Sequence, residues 1–139
     1  VLAVVPDYSM KTSDSRRVLP KAFPRADVVH NIQRASLLVS AVYDRDEELM
    51  KHSMVDRIHE SYRFELVPEL PVLRELLKDE PIMGCVLSGG GSAVLTLVNC
   101  LQKERVLEIL NRWAEREGNG ATVLDLQVPR NGMREIVKL

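Results

Sequence analysis

The sequence of 139 residues has no excess of charge of either sign, with 19 basic and 20 acidic side chains and a net charge of −1. This balance gives no general electrostatic reason to bind nucleic acid or an anionic membrane. No apolar run approaches the roughly 20 residues of a membrane-spanning helix. No basic segment precedes the apolar run at the start, so this run is not predicted to be a signal peptide. The composition predicts one cytoplasmic domain with neither nucleic acid nor a membrane as partner.

Cysteine is also scarce, and its spacing excludes the common metal and redox motifs. Cys85 and Cys100 are the only two cysteines and lie in apolar contexts, so we expect reduced thiols in the core. His30 and His52 have no partner at a useful ligand spacing, which predicts no metal site in this chain. No Ser-His-Asp or Cys-His arrangement stands out, so the catalytic residues remain unknown.

The first half of the chain predicts one strand and a strong helix. Leu2–Pro6 is β-branched and ends at proline, as a strand does, and the polar stretch 7–25 predicts a long loop. From Ala26, apolar residues at helical spacing predict an amphipathic helix with one buried face. Its inward residues would be Val28, Ile32, Ala35, Val39 and Val42. A shorter helix follows within 45–54.

The second half predicts two further helices and the rest of a sheet. One helix begins near Pro71 and would bury Val72, Leu73, Leu76 and Leu77. The other spans 102–117, with Val106, Leu107, Leu110, Trp113 and Ala114 inward. Predicted strands cover 82–87, 93–98, 121–128 and, after an Asn131–Gly132 turn, 135–139. This order predicts an α+β, ferredoxin-like split βαβ sandwich: an antiparallel sheet with helices on one face and extra helices in the first crossover.

Three consecutive glycines stand between two predicted strands, in the stretch LSGGGSAV at 87–94. The stretch lacks the Lys-Ser or Lys-Thr pair of a Walker loop. It leads into a strand, whereas a dinucleotide fingerprint leads into a helix. Glycine accepts positive φ, which favours a flexible hairpin connection. So many small residues in a row also permit close approach of the backbone to another group, and both interpretations stay open.

Three segments together resemble the C-terminal half of the homoserine kinases, in the GHMP kinase superfamily. They are VLPKAFPRADVVHNIQRASLLVSAVY, DRIHESYR and VLSGGGSAVLTLV, and they follow the family's order. Where the family more often has a pattern like SGAGPS, this sequence has SGGGSA, with Gly90 in place of alanine and Ser92 in place of proline. The resemblance runs through the whole chain and implies a GHMP kinase C-terminal domain over 1–139.

What the resemblance implies for function is a substrate pocket and a phosphate-side loop. Thr12, Arg16 and Arg63 match positions that hold homoserine, and a guanidinium suits its carboxylate. The loop beside the nucleotide phosphates would be Ser88, Gly89, Gly90, Gly91 and Ser92. ATP and Mg²⁺ would be bound mainly by an N-terminal domain that this sequence lacks, because no stretch like PxxxGLGSSAA occurs in it. The family also allows a homodimer.

The implied function is therefore the C-terminal part of an ATP-dependent kinase for the side-chain hydroxyl of L-homoserine, in threonine biosynthesis. A start at Val1 within a strand-like run favours the later part of a longer chain. In the parent protein this domain would pack against the N-terminal domain. The chain on its own would be inactive. Two alternatives remain: another GHMP small-molecule kinase, and a non-catalytic ACT-like module that binds an amino acid.

Overall fold

A computed structural model describes residues 1–128. Its four strands are β1 (Leu2–Val5), β2 (Ile82–Leu87), β3 (Val94–Val98) and β4 (Thr122–Asp125), in the spatial order β2-β3-β1-β4. All three pairings are antiparallel. This is the order that a split βαβ arrangement produces, so the predicted α+β fold is confirmed. The predicted Asn131–Gly132 turn and last strand lie outside the described residues.

Five α-helices and one short 3₁₀ turn connect these strands. They are α1 (Thr12–Arg17), α2 (Arg25–Asp44), α3 (Glu47–Ser53), the 3₁₀ turn Ser61–Arg63, α4 (Glu69–Leu76) and α5 (Lys103–Arg116). The prediction of an uninterrupted loop over 7–25 is wrong, because α1 lies within it. Its 6 residues are too few to show a helical period, and its termini carry charges that complement the helix dipole.

The main core lies between one face of the sheet and helices α4 and α5. Alternate strand residues supply the sheet's side of this core, as the two-residue period of a strand requires. The fully buried members include Leu2, Val4, Val94, Leu70, Leu73, Leu77, Val106 and Leu110. The inward face predicted for α5 is confirmed, with Leu107 and Ala114 partly buried against the same cluster.

Two predicted apolar faces do not lie where periodicity placed them. On α2, Ile32, Val39 and Val42 are 63%, 71% and 57% exposed. Periodicity detects a stripe but does not show whether the fold covers it. On α4, Val72 and Leu76 are 45% and 40% exposed and Leu70 is buried, because the buried stripe is rotated by part of a turn from the predicted one.

The two thiols differ in environment. Cys85 is buried on β2, and burial raises the pKa of its thiol to about 11. Cys100 is exposed, so its prediction as a core thiol is wrong: it follows β3 in a turn that the core does not cover. Among residues 1–128, no helix is both long enough and apolar enough to cross a membrane.

Candidate functional site

A cleft of about 570 Å³ opens where α1, α2, the segment after α3 and the end of β2 meet. It contains residues from all three segments that resemble homoserine kinases. Among its lining residues are Thr12, Arg16, Arg34, Arg63, Gly89 and Gly90. Residues that lie up to 78 positions apart in the sequence therefore share one solvent-accessible space.

Arg63 ties two walls of this cleft together. Its guanidinium donates from Nε to the carbonyl of Ser15 at 3.1 Å and from Nη1 to the carbonyl of Gly89 at 3.3 Å. The residue is only 7% exposed, and no carboxylate of residues 1–128 forms an ion pair with it. Buried charges in proteins are normally paired, so the remaining donors of Arg63 favour a negatively charged ligand.

The glycine turn, residues 88–93, reverses the chain between β2 and β3 and also presses against α1. Ser88 donates its N–H to Ala93 at 2.9 Å, and Gly89 has a φ of 62°, which a residue with a side chain adopts at a cost. At Gly90, a Cβ would lie 2.8 Å from the Oγ of Ser15. Both interpretations of the glycines therefore hold for this turn, and the group that it approaches closely is α1.

Asp56 organises the loop after α3, which also lines the cleft. Its carboxylate accepts hydrogen bonds from the main-chain N–H groups of Ile58, His59 and Glu60 and from the side-chain amide of Asn31 on α2. Partial burial acts to raise the pKa of Asp56, but these hydrogen bonds outweigh it and hold the pKa below its usual value. The ionised form of Asp56 is therefore stabilised by folding.

We expect the Asp56→Asn variant to be less stable than the wild type at neutral pH, and its stability to fall less as the pH is lowered. Because the folded pKa is lowered, the contribution of Asp56 is fully present above its unfolded pKa and is lost as the pH falls through the folded one. At pH 7 the variant should be less stable by about 1–3 kcal/mol. Urea unfolding should show a smaller difference in free energy of unfolding between the variant and the wild type at pH 3 than at pH 6.

The matched control for this prediction is Asp44→Asn, since Asp44 is exposed at the end of α2. Asp44→Asn should lose as much stability between pH 6 and pH 3 as the wild type does. A gap between Asp56→Asn and the wild type that stays constant from pH 6 to pH 3 would contradict the role given to Asp56.

Glu60 links the cleft to the core helix α4. Its side chain is almost completely buried, and Oε1 accepts the N–H of Leu87 at 2.9 Å. The other oxygen pairs with Arg74 of α4, whose Nε donates to the carbonyl of Cys85 at 2.9 Å. These contacts fix the end of β2, immediately before the glycine turn.

The described residues hold no cluster of three or more histidine, cysteine, aspartate or glutamate side chains that could bind a metal ion. The two acidic groups of the cleft already accept hydrogen bonds: Asp56 from Asn31 and three main-chain N–H groups, and Glu60 from Leu87 and Arg74. The donor set of residues 1–128 therefore does not form a Mg²⁺ site by itself.

Comparison with known proteins identifies the family. Residues 38–119 match the model described as GHMP kinases C terminal, which is more than half of the chain. The chain belongs to the GHMP kinase family. Among curated relatives of this GHMP kinase domain, the homoserine kinase of Desulfitobacterium hafniense is 40% identical over 109 residues, 78% of this chain and 37% of the relative.

Further relatives carry the same name and show the same partial coverage. The homoserine kinase of Solibacter usitatus is 35% identical over 93% of this chain and 42% of its own length. A solved structure, the homoserine kinase from Cytophaga hutchinsonii, superposes with a TM-score of 0.80 at 22% identity, over 88% of this chain and 39% of that one. The chain thus spans less than half the length of these proteins, and the structural likeness supports the GHMP kinase fold.

The structure brings most of the predicted site residues of this GHMP kinase domain together. Thr12, Arg16, Arg63, Gly89 and Gly90 line one cleft. Ser88, Gly91 and Ser92 are not among its lining residues, and the hydroxyl of Ser92 donates to the carbonyl of Tyr8 at 3.0 Å. Their roles remain predictions.

Sequence reasoning missed several cleft residues, although the signal for them was present. Asn31 and Arg34 lie in the first segment of the resemblance, and Asp56, His59 and Glu60 belong to DRIHESYR. Periodicity assigned the polar face of α2 to solvent, whereas that face lines the cleft.

Proposed function

We propose that this chain is the substrate-binding, C-terminal part of a homoserine kinase, an enzyme that transfers the γ-phosphate of ATP to the side-chain hydroxyl of L-homoserine. Relatives named homoserine kinase, at 35–40% identity, support the substrate. Such an enzyme would act in the cytoplasm, and its product would serve threonine biosynthesis. The alternative small-molecule kinases and the ACT-like module gain no support from these relatives.

The observation that carries the proposal is that the buried guanidinium of Arg63 and the side chain of Arg16 line one cleft. Arg63 is held in place by two main-chain carbonyls, so it is preorganised before a ligand arrives. The exposed side chain of Arg16 lines the same cleft from α1. Two guanidinium groups around one carboxylate provide directed, charge-assisted hydrogen bonds, and the hydroxyl of Thr12 adds a neutral partner.

The remaining parts of the reaction belong to a longer protein in this proposal. ATP and Mg²⁺ would be held mainly by an N-terminal domain packed against this one, with the glycine turn on the phosphate side. Phosphoryl transfer depends on positioning and charge stabilisation around Mg-ATP. This chain would position the amino acid, and by itself it would be inactive.

The test is a kinase assay on a protein that joins this chain to the N-terminal domain of a GHMP kinase parent. We expect phosphorylation of L-homoserine, and we expect Arg16→Ala to raise the KM for homoserine at least about tenfold. The KM for ATP should change little, because Arg16 faces the amino acid in this proposal. Steady-state kinetics with each substrate varied separately would measure both effects.

The matched control is Arg17→Ala. Arg17 is the next residue of the same helix, pairs with Asp14 at 3.0 Å and does not line the cleft. Its replacement should leave both KM values within about twofold, the scale of a surface ion pair. An unchanged KM for homoserine in Arg16→Ala would remove Arg16 from the site. Kinase activity of the chain alone would overturn the proposal that ATP and Mg²⁺ are bound mainly by an N-terminal domain.

A further inference from the structure

The cleft contains more positive charge than a homoserine ligand can balance. Arg16, Arg34 and Arg63 line it together with two carboxylates, Asp56 and Glu60. Glu60 is already paired with Arg74, which does not line the cleft, and Asp56 accepts hydrogen bonds from three main-chain N–H groups. In the described part of the chain, none of the three cleft arginines lies within 4.0 Å of a carboxylate oxygen.

Arg34 is the arginine without a role in the proposed function. It lies on α2, one turn after Asn31 and one turn before Leu38, so these three cleft-lining side chains share one face of the helix. Arg34 is half-buried. Unlike Arg63 and Glu60, its side chain forms no hydrogen bond with any of residues 1–128. Asn31, by contrast, is anchored to Asp56 and to the N–H of Arg57.

The charge of the ligand decides what a third guanidinium can bind. Homoserine at neutral pH carries one carboxylate and one ammonium group, so its net charge is zero, and its carboxylate is already served by Arg16 and Arg63. A phosphate monoester adds about −1.5 to −2 charges at pH 7 and three acceptor oxygens. Guanidinium groups bind such oxygens in parallel pairs. The phosphorylated amino acid therefore matches the cleft better than the unphosphorylated one.

We infer that Arg34 binds the phosphoryl group, so that the cleft holds the phosphorylated amino acid by its carboxylate at Arg16 and Arg63 and by its phosphate at Arg34. This inference rests on the proposed function, because it takes homoserine as the amino acid. Arg34 is then a residue that distinguishes the product from the substrate, and it retains the phosphate after transfer.

The test compares ligand binding by the wild-type chain and by Arg34→Gln in isothermal titration calorimetry. The ligands are O-phospho-L-homoserine, L-homoserine and inorganic phosphate. We expect Arg34→Gln to bind the phosphorylated amino acid at least about tenfold more weakly, with the affinity for homoserine changed less than twofold. Arg25→Gln is the matched control, since Arg25 lies on the same helix, is exposed and does not line the cleft.

A stability measurement separates ligand binding from a structural role. Removing an unpaired, half-buried cation from a cleft that two other arginines line should leave the melting temperature of Arg34→Gln equal to or above that of the wild type. A lower melting temperature together with equal losses for all three ligands would mean that Arg34 only supports the fold, and it would overturn the inference.

The other outcomes are equally decisive. Undetectable binding of O-phospho-L-homoserine to the wild-type chain, or unchanged binding in Arg34→Gln, also overturns it. So does inorganic phosphate binding as tightly as the phosphorylated amino acid, because the cleft would then be a general anion site. The kinase assay tests the proposed function separately. Arg34-dependent binding without phosphorylation of homoserine would reject only the proposed function. Phosphorylation of homoserine with binding that does not depend on Arg34 would reject only the role of Arg34.

Discussion

Replacing Arg74 by methionine is expected to destabilise the domain by about 3 kcal/mol, because it removes the partly exposed cation that pairs with a buried carboxylate. The carboxylate of Glu60 would stay buried without its cation, since its side chain is only 7% exposed. The carbonyl of Cys85 would also lose the hydrogen bond from Arg74. Urea unfolding of the wild type and the variant at pH 7 measures the difference.

A double variant shows that the cost comes from the uncompensated charge. Glu60→Gln in the Arg74→Met background removes that charge and keeps an oxygen for the N–H of Leu87, so we expect it to recover at least about 1 kcal/mol. The surface control is Arg112→Met, whose exposed pair with Glu108 should be worth less than about 0.5 kcal/mol. Equal losses in Arg74→Met and Arg112→Met would contradict the buried-pair interpretation.

Strand β2 and helix α5 could be predicted closely because local patterns define them. The predicted β2 boundaries agree with the observed strand, and α5 was predicted to within one residue at each end. Both elements combine a clear period with a face that the fold buries. The small residues after β2 also marked the reversal between β2 and β3.

The failures of prediction arise where tertiary contacts override the local pattern. Helix α2 has an apolar stripe that includes Ile32 and Val39, yet its polar residues Asn31 and Arg34 face the cleft. Where a helix lines a cleft, its polar residues face inward, and periodicity alone assigns them to solvent. Helix α1 was missed because one and a half turns show no period.

The candidate site was only partly predictable, for a related reason. The resemblance selected Thr12, Arg16 and Arg63, and the structure places all three on one cleft. The supporting contacts of Glu60 join three separate elements. Such pairs become visible only once the elements are in place, because no local spacing connects Glu60 with Leu87 or Arg74.

The glycine turn and α1 form a second coupled pair, which a double-mutant cycle can test. A Cβ on Gly90 would lie 2.8 Å from the Oγ of Ser15 but 3.7 Å from its Cβ, an ordinary contact distance. Ser15 is fully buried, and its hydroxyl donates to the carbonyl of Thr12 at 3.0 Å. The hydroxyl of Ser15 is therefore the main obstacle to a larger residue at position 90.

We expect Gly90→Ala to destabilise the domain by about 1–3 kcal/mol, the usual cost of overpacking, and Ser15→Ala to relieve part of that cost. The double variant should be more stable than the sum of the two single losses predicts, by at least about 0.5 kcal/mol in chemical unfolding. Gly89→Ala is the control: its φ of 62° strains any side chain and no atom lies within 4 Å. Ser15→Ala should therefore not rescue it. Additive losses for Gly90→Ala and Ser15→Ala would show that the turn does not need glycine at position 90 for its approach to α1.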